Sequence, residues 1–370
     1  MRVLVAPDKF KGSLTATAVA DNIAHGLRQA GADAATLPLA DGGDGSVAAA
    51  VAAGMHPRTC DVTDALGGKR TTTIAFDGST AVVEVADSCG LSTLPLGVLA
   101  PMHASSHGFG QAIRHAVGLG ARRVVLALGG SASTDGGVGM LAALGYTFTD
   151  DTGRPFTPSA ATLSQIDHVC GGDAVDLRGV ELVVAGDVSS PLTGPEGAAA
   201  VFGPQKGATP AQIEKLEAGL SQLVSAMRRS GQPQAATWAH IPGAGAAGGC
   251  GFAAVSLGGR IVSGADYFLD LLGFDAYLRD VDLVITGEGR IDQQTLTGKL
   301  PAVVAQRAAP TPTVAVVGRN DLRIPTTLFA DIIAVADLSD SDTAADPTGT
   351  ATHLRQIGAR IYASANCFSA

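Results

Sequence analysis

The sequence predicts an α/β protein: a doubly wound parallel-sheet domain with a second, mixed α/β domain inserted into it. Three observations lead there. Short apolar runs fit to be buried strands alternate with helical patterns at both ends and in the middle of the 370 residues. Loops rich in glycine and carboxylates follow those runs. Between residues 55 and 90 the rhythm changes to apolar/polar alternation around Gly67-Gly68 and Asp77-Gly78, and an Asp-Gly pair between such runs signals a hairpin. The resulting boundaries are 1–50, 96–190 and 276–370 for the parallel domain, and 51–95 and 191–275 for the inserted one.

The elements follow in order. Residues 3–6 form a first strand, and Asp8-Lys9-Phe10-Lys11-Gly12-Ser13 is the loop after it. Ser13 or Thr15 can cap a helix whose Val19, Ile23 and Leu27 share one face and which Gly31 closes. A second strand over 36–39 ends in Asp41-Gly42-Gly43-Asp44. Strands over 59–63, 69–76 and 80–85 make the antiparallel element. Ser105-Ser106-His107-Gly108 opens a helix to about 118, and the strand 123–128 ends in Gly129-Gly130-Ser131 with Asp135-Gly136-Gly137 close behind. Residues 146–180 read as an insertion with short strands. The strand 181–185 ends in Gly186-Asp187, helices are expected over 210–229 and 267–278, and strands over 313–317 and 332–335 lead to a closing helix over 350–363.

The stretch LVITGEGRIDQQTLTGKLP, 283–301, is the densest in chemistry. A buried strand breaks at Gly287-Glu288-Gly289, and Glu288, Arg290, Asp292, Thr295 and Lys299 crowd the seam before the helix that starts near Pro301. In open α/β sheets that seam is where ligands bind, and a helix start there favours anions.

The net charge is −9 with no basic block, which argues against nucleic acid as a partner. Five scattered cysteines (Cys60, Cys89, Cys170, Cys250, Cys367) with no CxxC read as free, buried thiols of a reducing compartment. No signal-peptide pattern and no apolar run near the roughly 20 residues of a membrane span are visible, so no membrane partner and a cytoplasmic location are expected. P-loop, HExxH, GxSxG and Cys/His metal spacings are missing. Residues 243–248 match GxGxxG, but Pro242 before them and further glycines after them favour a tight loop touching an anion, or tight packing alone, over a dinucleotide fold. The Gly129-Gly130-Ser131 loop can cradle phosphate oxygens. Asp8, Asp41, Asp44, Asp135, Asp187 and Glu288 stand at strand ends, with Lys9, Lys11, Lys206, Arg290 and Lys299 near them. Phosphoryl transfer uses this mixture: carboxylates hold Mg²⁺ or accept a hydroxyl proton, and cations neutralise the transferred group. A surface charge remains the plain reading of any one of them, and His107 reads as structural.

Together these stretches resemble the bacterial glycerate kinase family of type 1. The resemblance is carried by APDKFKGSLTA (6–16), PLADGGDGS (38–46), SSHGFGQAIRHAVGLGARRVVLALGGSASTDGG (105–137), DVSSPLTGPEGAAAVFGPQKGA (187–208), GAGAAGGCGF (243–252) and GADYFLDLLGFDAYLRDVDLVITGEGRIDQQTLTGKLP (264–301). It implies a Rossmann-like domain with a distinct second domain. It also implies phosphorylation of D-glycerate by ATP with Mg²⁺, most simply to 2-phospho-D-glycerate. Alternatives are the 3-phospho product, a related hydroxy acid, or a non-catalytic binder of nucleotides or organic acids. A homodimer is the candidate assembly. The expected roles are Lys9 on the transferred phosphoryl, Asp187 as base or metal ligand, and Asp41 beside them. Gly129, Gly130, Ser131, Glu288, Asp292 and Lys299 are expected at the nucleotide, with Glu288 also a metal ligand. Asp8, Lys11, Ser13 and Arg290 are expected at the substrate. Asp44 and Ser46 stand where the family usually has Glu and Thr; Gly186, Ser190 and Cys250 replace its common Cys, Asn and Leu. These departures bear on substrate preference.

Overall fold

Val3, Leu4 and Val5 are buried, as a strand covered on both faces requires. In the computed structural model, which describes residues 1–338 and 344–367 (side chains to 364), they belong to a five-stranded sheet. Its spatial order is Asp331–Ala334, Thr313–Val317, Leu283–Thr286, Arg2–Val5, Asp33–Thr36, and every neighbouring pair is parallel. Numbered along the chain this is the order 2-1-3-4-5 of a doubly wound sheet, whose direction of winding reverses between Arg2–Val5 and Leu283–Thr286. Alternation along Thr313–Val317 divides the packing. Val314 and Val316 join Ile23, Leu27, Leu354 and Ile357 on one side, while Ala315 and Val317 join Ile291, Ala305 and Phe329 on the other.

The helices Ala16–Gln29 and Pro347–Cys367 cover the first of these faces. Thr15 rather than Ser13 caps the former, accepting from Ala18 N at 3.2 Å. Where the two helices cross, a Cβ at Gly26 would come within 1.9 Å of the Arg355 carbonyl oxygen. Only glycine lets the backbones meet there. This unit comprises Met1–Asp41, Ala48–Gly54 and Gly264–Ala370.

Residues Gly42–Val47 and Met55–Ser263 form a second unit. Its sheet runs Arg260–Val262, Glu181–Ala185, Arg123–Ala127, Thr80–Glu84, Lys69–Phe76, His56–Thr63. The first four strands are parallel and the last two antiparallel. The Asp77-Gly78 hairpin is present, with Asp77 Oδ1 accepting from Ser79 N and Thr80 N at 2.8 and 2.6 Å. The short strands expected within 146–180 form a separate three-stranded sheet.

The expected boundaries need correction. Residues 96–190 were assigned to the same domain as the N-terminal strand, yet their strands Arg123–Ala127 and Glu181–Ala185 build the centre of the second sheet. A parallel strand is apolar on both faces, so its pattern carries no mark of the sheet it joins. The helix expected over 267–278 is divided into Gly264–Leu271 and Phe274–Tyr277 by Gly273, which has φ +70°. Cys60, Cys89 and Cys250 are buried free thiols; Cys170 is exposed, at an edge of the small sheet. The Cys367 side chain lies outside the described residues. Among the described residues no helix is long and apolar enough to cross a membrane.

Candidate functional site

In the first unit, strands that run parallel put their following loops on one edge. Asp8 N donates to the Gly287 carbonyl at 2.8 Å, Leu39 N to that of Pro7 at 2.9 Å and Gly318 N to that of Glu288 at 3.1 Å. The loops after four strands are thus tied together at the point where the winding reverses. Gly287 is required: a Cβ would lie 1.9 Å from the Val316 carbonyl oxygen. Phe10, 2% exposed, roots the first loop through a pair of backbone bonds with Leu14.

These loops bring together Asp8, Lys9, Asp41 and Glu288. Asp8 Oδ1 accepts from Lys9 N at 2.7 Å, and Lys9 Nζ lies 3.5 Å from the same oxygen. Burial, then the nearby Asp41 charge and more weakly that of Glu288, push the Asp8 carboxyl up to about 7 against the pull of Lys9. Burial first, with Asp292 and Asp41, pushes Glu288 up to about 7, although Thr295 Oγ1 donates to it at 2.6 Å and Lys299 opposes the rise. Two carboxyls therefore stand near half-protonation at neutral pH, a state suited to accepting a proton during reaction.

The other predicted residues of this unit divide. Asp292 Oδ1 accepts from Gln294 N and Thr295 N at 2.9 and 3.2 Å, and Lys299 Nζ lies 3.6 Å away. Asp292 therefore shapes the turn that aims Thr295 at Glu288. Lys299 is the N-cap residue of the helix Leu300–Ala308. Arg290, expected at the substrate, is exposed and held by Asp321 at 2.6 Å. The parallel pairing of Arg290 with Arg319 brings that partner in, and no sequence pattern announces it. Lys11 is exposed, and the Ser13 hydroxyl is buried without a hydrogen-bond partner among the described residues.

The second unit carries the glycine loop and Asp187. Gly130 has φ +77°, and a Cβ at Gly129 would sit 2.5 Å from the Cα of Gly43, so the turn and the close approach both need glycine. Ser131 Oγ accepts from Lys206 Nζ at 3.0 Å. Asp135, fully buried, accepts from Ser106 N and Oγ, both at 2.8 Å, and from Gly137 N and Gly139 N at 3.1 and 3.3 Å. It is a structural knot and not a reacting carboxylate. The glycines of the GxGxxG match are needed for close approach: a Cβ at Gly248 would strike the Ser133 carbonyl oxygen at 2.2 Å, and one at Gly249 the Gly136 Cα at 2.5 Å. Asp187 is exposed at the end of Glu181–Ala185.

Two groups escaped the sequence reading. Glu84 ends an apolar strand, is 5% exposed, and accepts from Gly45 N at 3.0 Å and Val47 N at 3.2 Å. It satisfies the first turn of Ser46–Ala52, and burial pushes it up to about 7. A charged residue closing a wholly apolar run was the available signal. Lys206 is 3% exposed, and a lysine's burial leaves no mark in the sequence.

A family model described as the glycerate kinase family matches residues 3–365. A glycerate kinase from Bacillus subtilis (strain 168) is 40% identical over 316 residues, covering 83% of this chain and 82% of that one. A glycerate 2-kinase from Escherichia coli (strain K12) is 38% identical over 315 residues, with the same shares. The crystal structure of a protein described as glycerate kinase 2 from Salmonella typhimurium LT2 superposes with TM-score 0.84 at 34% identity, over 100% of this chain and 99% of that one.

Proposed function

The chain belongs to the glycerate kinase family, and from that premise we propose that it transfers the γ-phosphoryl group of ATP to D-glycerate, giving 2-phospho-D-glycerate. The observation that carries the reading is the cluster of Asp8, Lys9, Asp41 and Glu288 where the first sheet reverses. A lysine among carboxyls near neutrality offers both things that phosphoryl transfer needs, a cation for the moving charge and an acceptor for the alcohol proton.

Lys9 is assigned to the transferred phosphoryl, where its ammonium offsets charge that builds as the bond to the leaving oxygen breaks. Asp8, poised near 7, joins Asp187 as a candidate to accept the glycerate hydroxyl proton. Thr295 holds Glu288 in place, and Asp41 stands beside them as a further carboxylate of the cluster. The Gly129-Gly130-Ser131 loop is assigned to the nucleotide phosphates, with Lys299 a further cation for an anionic group. Asp292 supports Thr295 and is assigned no direct contact. The nucleotide's companion is Mg²⁺, which neutralises phosphate charge. Among the described residues no three His, Cys, Asp or Glu side chains converge as a metal site. An Mg²⁺ that accompanies a nucleotide is typically held by one or two carboxylates plus substrate phosphates. Glu288 is the candidate in the first unit and Asp187 in the second, and the mutual repulsion among Asp8, Asp41 and Glu288 is what a cation would relieve.

The test is a coupled assay of ADP release with D-glycerate, L-glycerate and related hydroxy acids, followed by phosphorus NMR of the product. ADP release dependent on D-glycerate with a 2-phospho signal is expected. ATP turnover indifferent to every hydroxy acid would overturn the reading, and a 3-phospho signal would revise its position.

A further inference from the structure

Lys206 is the most deeply buried cation of the second unit's loops. It is 3% exposed, lies in the turn Pro204–Lys206, and its ammonium donates to Ser131 Oγ at 3.0 Å and to the Ser133 carbonyl. Among the described residues no carboxylate reaches it at ion-pair distance. Burying an ammonium without a counter-ion is costly, and the fold holds it there regardless.

Two further observations place unmet polar groups in the same loop. The hydroxyls of Ser133 and Thr134, both fully buried, have no hydrogen-bond partner among the described residues. Lys206 has three N–H donors and two acceptors. An ammonium cannot accept, so Ser131 Oγ must act as acceptor toward it and turn its own proton elsewhere. The loop at 129–134 therefore holds hydroxyl protons without acceptors beside a buried positive charge. The complement of that arrangement is a ligand made of acceptors and negative charge.

We infer that Lys206 is a positioning residue for the nucleotide: it fixes the Ser131 hydroxyl as a donor and places its charge beneath the glycine loop, so that the loop takes the polyphosphate of ATP or ADP. This rests on the kinase reading for the identity of the ligand, but not for the existence of the anion site. Lys206 is not a catalytic residue; it acts through Ser131 and through its field. Burial holds its pKa down to about 8. The titratable groups facing it are Asp135, on the glycine loop, and Cys250, at the start of the helix Cys250–Ser256. Cys250 is pushed well up by burial and stays a neutral thiol throughout the useful pH range. A bound polyphosphate adds the missing negative charge.

Calorimetry of ADP and of inorganic tripolyphosphate binding to wild type, Lys206→Met and Ser131→Ala tests this. Lys206→Met keeps an unbranched side chain one atom shorter and removes the charge. It should weaken both ligands about tenfold or more, the effect of losing a charged hydrogen bond, while KM for glycerate stays within about twofold. Ser131→Ala should weaken them by a smaller factor. The ligand-free melting temperature of Lys206→Met should stay level or rise, since an apolar replacement of a buried lone charge is neutral or stabilising. Wild-type ADP affinity in Lys206→Met overturns the inference, and so does a lowered melting temperature with affinity intact, which would mark a merely structural lysine. Should that variant fail to fold, wild-type ADP affinity between pH 7 and 9.5 decides: it should fall above about pH 8, and a flat profile overturns the inference. Wild type that binds ADP but releases none from ATP with glycerate sinks the kinase reading and leaves this comparison standing.

Discussion

Asp8 and Asp135 both end a buried parallel strand in a glycine-containing loop, one in each unit. Asp135 has four donors to its carboxylate and no exposure. Among the described residues Asp8 has one backbone donor, a lysine at 3.5 Å and two other carboxyls around it, and it is pushed up to about 7. The first has all its bonding needs met by its own fold and can react with nothing. The second is left with repulsion that a ligand's cation or a proton can relieve. Position at a strand end nominates a residue for function; the balance of donors around it decides.

The contrast can be broken most sharply at Lys9. Lys9→Ala should lower kcat by about 10²–10³-fold or more, as loss of an electrostatic stabiliser does, with an unchanged melting temperature. Near-normal turnover would remove Lys9 from the mechanism. At Asp135 the effect should appear in stability instead. Asp135→Ala strands buried donors and should cost about 3–5 kcal/mol, read as a large fall in denaturant midpoint. A variant that keeps its midpoint but loses kcat would reverse the assignment.

Asp8→Asn should do the opposite to stability. A carboxyl raised from 3.8 to about 7 on folding leaves the folded state holding more protons than the unfolded one between those values. Stability is then greatest below about pH 4, is lost as pH rises toward 7, and stays low above. The melting temperature of wild type relative to Asp8→Asn should therefore drop from pH 4.5 to pH 8, and a constant gap would contradict the shift. Its kcat, compared with that of Asp187→Asn, identifies the base: the variant with the larger loss and a flattened pH profile held that role. The smallest effect is expected at Arg290. Its exposed pairing with Asp321 contributes at most about 1 kcal/mol, so Arg290→Ala should leave kcat and KM for glycerate within about twofold. A tenfold rise in KM would restore it to the substrate site.

Much of this was legible in the residues. The strands Lys69–Phe76, Glu181–Ala185, Leu283–Thr286 and Thr313–Val317 and the helix Pro210–Arg229 stand where the apolar pattern puts them. The pattern could not say which sheet a strand joins, because pairing such as Val3 with Leu283 is decided by tertiary contact. Asp8, Lys9, Asp41 and Glu288 could be found because each follows a strand. The pairing of Arg290 with Asp321 is invisible in the sequence because Asp321 reaches it only through pairing of two short strands. The roles of Glu84 and Lys206 depend on burial, which charge in a sequence conceals.

The pairing of Val3 with Leu283 also orders events during synthesis. The inserted unit has all of its chain once Ser263 has left the ribosome. The strand Arg2–Val5 and the helix Ala16–Gln29 cannot bury their apolar faces until Leu283–Thr286 and the helix Pro347–Cys367 are in place. A strand and a helix from one end of the first unit are thus buried only by segments far away in sequence, and a unit closed by such long-range pairing is intrinsically slow to form.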